Sequence, residues 1–211
     1  MKSISDKALF IVIEGIDGSG KSTQMNLLNE RFQNMARAVH TTHEPTDSET
    51  GRFIRNILRN ETALGQESLA ALFLADRLEH ITNPECGILA RIGQGETVIS
   101  DRYYFSNLAF QSEYVPMDWL MSINSLCKEM LIADFTFYLN IDPAICYQRI
   151  IDRNESLEMY ETPGKLERTH QAFLYAFEKY SIKENIHIIN ADRAKESIHE
   201  EIWAIINGGR N

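Results

Sequence analysis

A chain of 211 residues, 44% hydrophobic and 24% charged, has ample apolar side chains for one α/β core and is too ordinary in composition for long disorder. Its net charge of −9 opposes binding to a nucleic acid polymer, so a nucleotide partner is expected to be a small molecule held in a locally basic cleft. Cys86, Cys127 and Cys146 form neither a disulfide frame nor a zinc motif, no apolar run reaches membrane-span length, and Met1–Lys7 lacks the apolar core of a signal peptide, which together predict a cytoplasmic protein with no membrane partner.

Residues 8–13 form a continuous apolar run rich in Ile and Val, which predicts a first strand buried on both faces at the centre of a parallel sheet. Directly after it comes Gly15-Ile16-Asp17-Gly18-Ser19-Gly20-Lys21-Ser22, a full match to G-x-x-x-x-G-K-[ST], with Thr23 behind it. Such a loop cradles phosphates. Its glycines let successive N–H groups converge on phosphate oxygens, and the helix that follows adds its positive end. Lys21 is expected to reach the β- and γ-phosphates of a nucleoside triphosphate, and the Ser22 hydroxyl to sit on Mg2+.

From Lys21 to about Met35, apolar residues Met25, Leu28, Phe32 and Met35 recur at spacings of three and four, an amphipathic helix whose first turn meets the phosphate. A short second strand is predicted at 37–41, and the chain then turns at His43-Glu44-Pro45-Thr46. Helices are predicted from about Glu49 to Arg59 and from about Gln66, the second broken by Pro84 before Ile88, Leu89 and Ile92 resume the pattern. Thr97–Ser100 reads as the third strand, which puts Asp101-Arg102-Tyr103 at its carboxyl end, where open α/β sheets hold ligands. Helices at about 105–112 and 116–131 lead to a fourth strand, Phe135–Ile141, and Pro143 opens a helix running to about Asp152.

The stretch 152–164 is polar and without sustained period; with the preceding helix end it predicts a mobile lid at about 149–164. A helix from about Lys165 to Tyr180, a fifth strand at Ile186–Ile189 and a helix from about Ala194 to Ile206 complete the chain. Apolar runs alternating with helices imply an α/β fold of the P-loop NTPase kind, a five-stranded doubly wound parallel sheet flanked by helices. With no internal repeat or linker, residues 1–211 read as a single domain.

Three further segments narrow the choice: His43-Glu44-Pro45-Thr46, Phe73-Leu74-Ala75-Asp76-Arg77, and Asp101-Arg102-Tyr103 running on through Asn107 to Gln111. With Gly15–Gln24, in this order and spacing, the chain from about residue 9 to 203 resembles the thymidylate kinases, P-loop kinases that transfer the γ-phosphoryl of ATP to dTMP. The resemblance implies ATP and Mg2+ as cofactors, dTMP as the acceptor, and a homodimer.

An acid inside an anion-binding loop opposes phosphate, so Asp17 makes sense as the acceptor of a hydrogen bond from a sugar hydroxyl; the resemblance implies the 3′-OH of dTMP. It further implies that Phe73 stacks on thymine, that Glu44 belongs to the acceptor contact, that Asn107 and Gln111 face base or sugar, and that Tyr103 and Phe110 wall off a 2′-hydroxyl. Arg77 and Arg102 are the candidates to grip the acceptor's phosphate, since a guanidinium fork matches phosphate oxygens in two bonds. Asp101 resembles a Walker-B-type carboxylate, which either holds Mg2+ through water or orients the acceptor phosphate.

Where some relatives carry arginine inside the phosphate loop, this chain has Gly18. The cation that closes over the moving phosphoryl group then falls to Arg149 or Arg153, four apart on one helical face. Lys21, Asp17, Arg102, Arg149 and Arg153 are therefore the expected catalytic set. His43, Thr46-Asp47 and Met159 depart from the residues relatives often carry there, which leaves two other readings open. One is a kinase for another pyrimidine monophosphate or a deoxynucleoside; the other is a nucleotide-binding regulator without turnover. Paired arginines favour a monophosphate, because a nucleoside gives them nothing to grip.

Overall fold

The computed structural model describes residues 7–154 and 156–208; the leader reading of Met1–Asp6 and the part of the lid reading that falls on Glu155 lie outside them. Five parallel strands, β1 (Phe10–Glu14), β2 (Val39–His43), β3 (Thr97–Asp101), β4 (Phe135–Asn140) and β5 (Ile186–Asn190), form one sheet in the order β2-β3-β1-β4-β5. β1 is central and buried along its whole length, as its unbroken apolar run requires, because neither face of a middle parallel strand meets water.

Helix α1 (Lys21–Asn34) connects β1 to β2. Three helices, α2 (Glu49–Leu58), α3 (Gln66–Thr82) and α4 (Ile88–Gly93), lie between β2 and β3, and two, α5 (Tyr104–Gln111) and α6 (Met117–Met130), between β3 and β4. After β4 come α7 (Pro143–Ile151) and α8 (Pro163–Tyr180), and α9 (Lys195–Gly208) follows β5. Among the described residues no helix is long and apolar enough to cross a membrane.

Of the boundaries that differ from the sequence expectation, two have identifiable reasons. β2 runs to His43 because Thr42 and His43 stay in register with Ser100 and Asp101 of β3; on a half-exposed edge strand these polar residues carry no apolar signal. α8 begins at Pro163, inside the expected lid, since proline at the first helical position loses no hydrogen bond and brings a helical φ. Pro84 does break the third helical region, which stops at Thr82 and resumes at Ile88.

The parallel register brings the strand ends together: Asp101 lies beside Ile13 on one side and His43 on the other. The chain leaves β1 toward β2 and leaves β3 toward β4, in opposite directions across the sheet, so a crevice opens between the ends of these two neighbours. α5 starts at that crevice and is buried at every residue. Phe105 of α5 packs on Phe177 of α8 with ring centroids 4.9 Å apart, and Tyr138 of β4 on Phe173 at 5.0 Å. Each buried ring contributes on the order of 2–3 kcal/mol, which fixes α5 and the polar residues it carries against the sheet.

Candidate active site

The loop 15–20 joins β1 to α1 at the crevice, and two of its glycines take left-handed backbone, Gly18 at φ +80° and Gly20 at φ +98°. A side chain at Gly18 would also meet the Cys146 carbonyl of α7 at 2.5 Å, so the arginine that some relatives place here has no room in this chain. Among the described residues no side chain caps the start of α1, which leaves its first N–H groups facing the loop. Lys21 folds back into this cradle: its Nζ donates to the Ile16 carbonyl at 3.2 Å and stands 3.8 Å from Asp17 Oδ1 and 4.0 Å from Asp101 Oδ1.

Residues 17–24 of this loop and helix line one wall of a cleft, and Asp101, Arg102, Arg149 and Arg153 lie on the others. Arg149 donates to the Gly18 carbonyl at 3.1 Å, whereas Arg153 pairs with Glu161 at 3.0 Å. Both arginines therefore border this cleft, together with Ser22 and Thr23. Among the described residues, buried Asp101 Oδ1 has no hydrogen-bond partner, and neither has Ser19 Oγ. A buried carboxylate oxygen left open in a cleft that Ser19 and Ser22 also line suits a hard divalent cation. Among the described residues no cluster of three or more His, Cys, Asp or Glu could hold a metal alone, so such a cation would complete its shell with phosphate and water oxygens.

A second cavity opens on the other side of Asp17 and Arg102, the two residues that line both. Phe73, Phe110 and Leu58 supply apolar wall, and Asn107 and Gln111 supply polar floor. Arg102 forms a short ion pair with Asp17, donates to the Gly15 carbonyl at 3.2 Å, and lies 4.7 Å over the Phe110 ring. Burial alone would push the Asp17 carboxyl up, but the Arg102, Lys21 and Arg153 charges outweigh it and hold the group below the usual carboxylate range.

Three residues expected to meet the acceptor lie outside both cavities. Arg77 borders neither cavity; it is 1% exposed and spent on protein partners, with Nε donating to Glu44 Oε2 at 2.8 Å and Nη1 to Asn124 Oδ1 at 2.6 Å. Glu44 in turn lies outside both cavities, where it pairs with the buried Arg77 guanidinium and faces His80. Tyr103 points into the core, its hydroxyl donating to the Leu131 carbonyl at 3.0 Å, so of the expected pair only Phe110 walls the cavity.

Arg77 nevertheless reaches the cavity through a relay. Asn124 Nδ2 donates to Asn107 Oδ1 at 2.8 Å, Asn107 Nδ2 to Gln111 Oε1 at 2.8 Å, and Gln111 Nε2 to the Tyr160 hydroxyl at 3.1 Å. The buried cation thus orients Asn124, Asn124 orients Asn107, and Asn107 orients Gln111. Asp76, next to Arg77 on α3, ties down the 44–48 loop by accepting from Thr46 N at 2.7 Å and Ser48 Oγ at 2.8 Å.

Sequence reasoning missed Arg55, Tyr160 and Glu158 in the second cavity and Arg193 and Lys195 in the first. Arg55 is the one of consequence: an arginine of α2 whose Nη1 donates to the Pro45 and Thr46 carbonyls at 2.8 and 2.7 Å, which turns the guanidinium toward the cavity. Its three- and four-residue spacing from Arg52 and Arg59 was visible, but nothing local marks which of the three faces inward.

Glu14, at the end of β1, joins the phosphate loop to α5. Its carboxylate accepts from Tyr103 N at 2.9 Å and from Ser106 Oγ at 2.5 Å, and burial pushes its pKa from 4.5 up to about 7 against those bonds. Between these values the folded carboxyl keeps a proton that the unfolded one loses, so stability falls as pH rises through the window and levels off above it. Glu14→Gln is expected to remove that slope. The advantage of wild type over the variant, read from urea unfolding, should be larger at pH 5 than at pH 7.5 by at most about 3 kcal/mol.

The comparison with known proteins agrees with this geometry. A sequence model of the thymidylate kinase family matches residues 13–202. The chain is 35% identical over 178 residues to a thymidylate kinase of Leptospira borgpetersenii, covering 84% of this chain and 85% of that one, and 34% identical over 194 residues to a thymidylate kinase of Leptospira interrogans, covering 92% of each. A protein of Pyrococcus horikoshii named "Probable thymidylate kinase" is 34% identical over 206 residues, which cover 95% of this chain and 96% of that one. On the family match, these identities and a phosphate loop facing a second cavity across a shared Asp–Arg pair, the chain belongs to the thymidylate kinase family.

Proposed function

We propose that this chain transfers the γ-phosphoryl group of ATP to dTMP, releasing ADP and dTDP, with dTMP in the Phe73–Phe110 cavity and ATP in the phosphate-loop cleft. The observation that carries the reading is the meeting of the two cavities at Asp17 and Arg102, since in-line transfer needs donor and acceptor phosphates to face each other across one junction. The loop amides, Lys21 and the start of α1 hold the donor phosphates. Phe73 stacks on the base, Asn107 and Gln111 read its polar edge, and Asp17 accepts from the sugar hydroxyl. Arg102 and Arg55, not Arg77, grip the acceptor phosphate.

Ser22 and Asp101 would hold Mg2+, which neutralises charge on the donor phosphates when bound. Arg149 and Arg153, on a lid formed by about 149–164 of a single kinase domain, bring further positive charge to the oxygens of the moving group and exclude water. We also place the chain in the cytoplasm, where reducing conditions keep Cys86, Cys127 and Cys146 as the thiols they are here. A homodimer is part of the same proposal, supported by exposed Trp119, Leu126 and Met130 along α6.

The test is ADP release in the presence of ATP and Mg2+ with dTMP, dUMP, dCMP, UMP and thymidine as acceptors. The expected result is the highest kcat/KM with dTMP and none above background with thymidine. A higher kcat/KM for another acceptor, or no ADP with any of them, overturns the proposal.

A further inference from the structure

The acceptor cavity carries an anion of its own where the substrate's anion is expected. In the loop between β2 and α2, Asp47 Oδ1 lies 3.0 Å from Arg55 Nη2 and 3.6 Å from His43 Nε2, and all three residues line the cavity. The loop that carries Asp47 and the Arg55 guanidinium are both held in place by other contacts. Asp76 anchors the loop through Thr46 and Ser48, Arg52 donates to the Asp47 carbonyl at 2.6 Å, and Arg55 Nη1 is committed to the Pro45 and Thr46 carbonyls. Arg55 therefore has its Nη2 edge left for an anion, and a carboxylate oxygen occupies it.

We propose that Asp47 acts as a built-in competitor for the acceptor's phosphate: it holds Arg55 when the seat is empty and must give way, against its own charge, when a nucleoside monophosphate binds. This rests on the reading of Arg55 as a phosphate-gripping residue. Two features separate it from an ordinary surface ion pair. The Asp47 side chain is 83% exposed while that of Arg55 is 22% exposed, so the carboxylate can swing into solvent at little cost while the guanidinium stays in place. The cavity also already holds Asp17 and Glu158 against Arg55 and Arg102, so a third carboxylate weakens the field that draws an anion in. Asp47 thus lowers affinity for monophosphates and leaves affinity for the nucleoside alone, which has no group to compete, as it is.

Calorimetric titration of dTMP and of thymidine, at one fixed ionic strength and without ATP, tests this with wild type, Asp47→Asn, Arg55→Gln and the double variant. Asp47→Asn is expected to bind dTMP about threefold to tenfold more tightly, with thymidine unchanged within about twofold, and the gain should vanish on an Arg55→Gln background. If Arg55→Gln weakens dTMP while Asp47→Asn leaves it unchanged or weaker, the competitor role is overturned and the reading of Arg55 stands. If Asp47→Asn tightens thymidine as much as dTMP, the aspartate acts on cavity shape and the proposal also fails. If Arg55→Gln binds dTMP as wild type does, the phosphate seat is elsewhere, and the reading of Arg55 falls together with the proposal.

Discussion

Lys21→Ala is expected to lower kcat with dTMP by about a thousandfold while leaving the fold intact. The reason lies in how little the folded protein uses this lysine. Its side chain is 7% exposed, yet among the described residues its ammonium makes one hydrogen bond, to a backbone carbonyl, and two nearby carboxylates stand at 3.8 and 4.0 Å, beyond hydrogen-bonding distance. A buried ammonium has three donors to satisfy, and leaving them open is costly unless a ligand supplies the acceptors. Phosphate oxygens entering the cradle of Gly18, Gly20 and the first turn of α1 would supply them, and the charge would count most as negative charge spreads over the moving phosphoryl group. Truncation should therefore cost far more in turnover than in stability, and the two are measured separately by steady-state ADP release and by thermal unfolding. Turnover within tenfold of wild type in a folded Lys21→Ala protein would remove Lys21 from the catalytic set.

How much of this was legible in the chain depends on how local the determinant is. The phosphate loop could be read outright because its demands are met by consecutive residues: an apolar strand, glycines where the backbone turns left-handed, then a lysine and a serine at the start of a helix. The break at Pro84 and the strand end at Asp101 were legible for the same reason. Arg77 was not, because its role is set by Glu44, thirty-three positions earlier in the chain, and a guanidinium looks the same in sequence whether its partner is a phosphate or a buried carboxylate. Phe73 and Arg77 sit one turn apart on α3, but the cavity ends at the phenylalanine and the Glu44 pair begins at the arginine. Arg55 shows the converse. It is one of three arginines spaced along α2 and the residue just past its end, and the tertiary position of the Pro45 and Thr46 carbonyls turns it toward the cavity. Arg149 and Arg153 fall between: their spacing of four predicts one helical face, but α7 ends at Ile151, so Arg149 lies on the helix and rests on the Gly18 carbonyl while Arg153 lies in the turn beyond it and pairs with Glu161.

Arg102→Ala is expected to reduce kcat/KM for dTMP by a thousandfold or more, roughly the range seen when a single phosphate-directed arginine is lost. Arg102 stands at the one place where both cavities meet, and three contacts aim it: the Asp17 carboxylate, the Gly15 carbonyl and, at 3.4 Å, Ser106 Oγ. Removing it takes a donor from the acceptor phosphate and also leaves Asp17 without its strongest positive neighbour, so burial is free to push that carboxyl up. The pH profile should record this, with the acidic limb of kcat/KM moving to higher pH in whatever activity the variant retains. Arg102→Lys restores a charge without the planar fork and should recover only part of the loss. The backbone supplies a further discriminating control. Arg102 has φ +76°, a left-handed conformation that costs a non-glycine residue on the order of 1 kcal/mol, so Arg102→Gly should unfold at higher stability than Arg102→Ala. If the guanidinium is what the reaction needs, the glycine variant is the more stable of the two and equally inactive. Activity in the glycine variant near that of wild type would mean that Arg102 shapes the turn and that another group grips the phosphate.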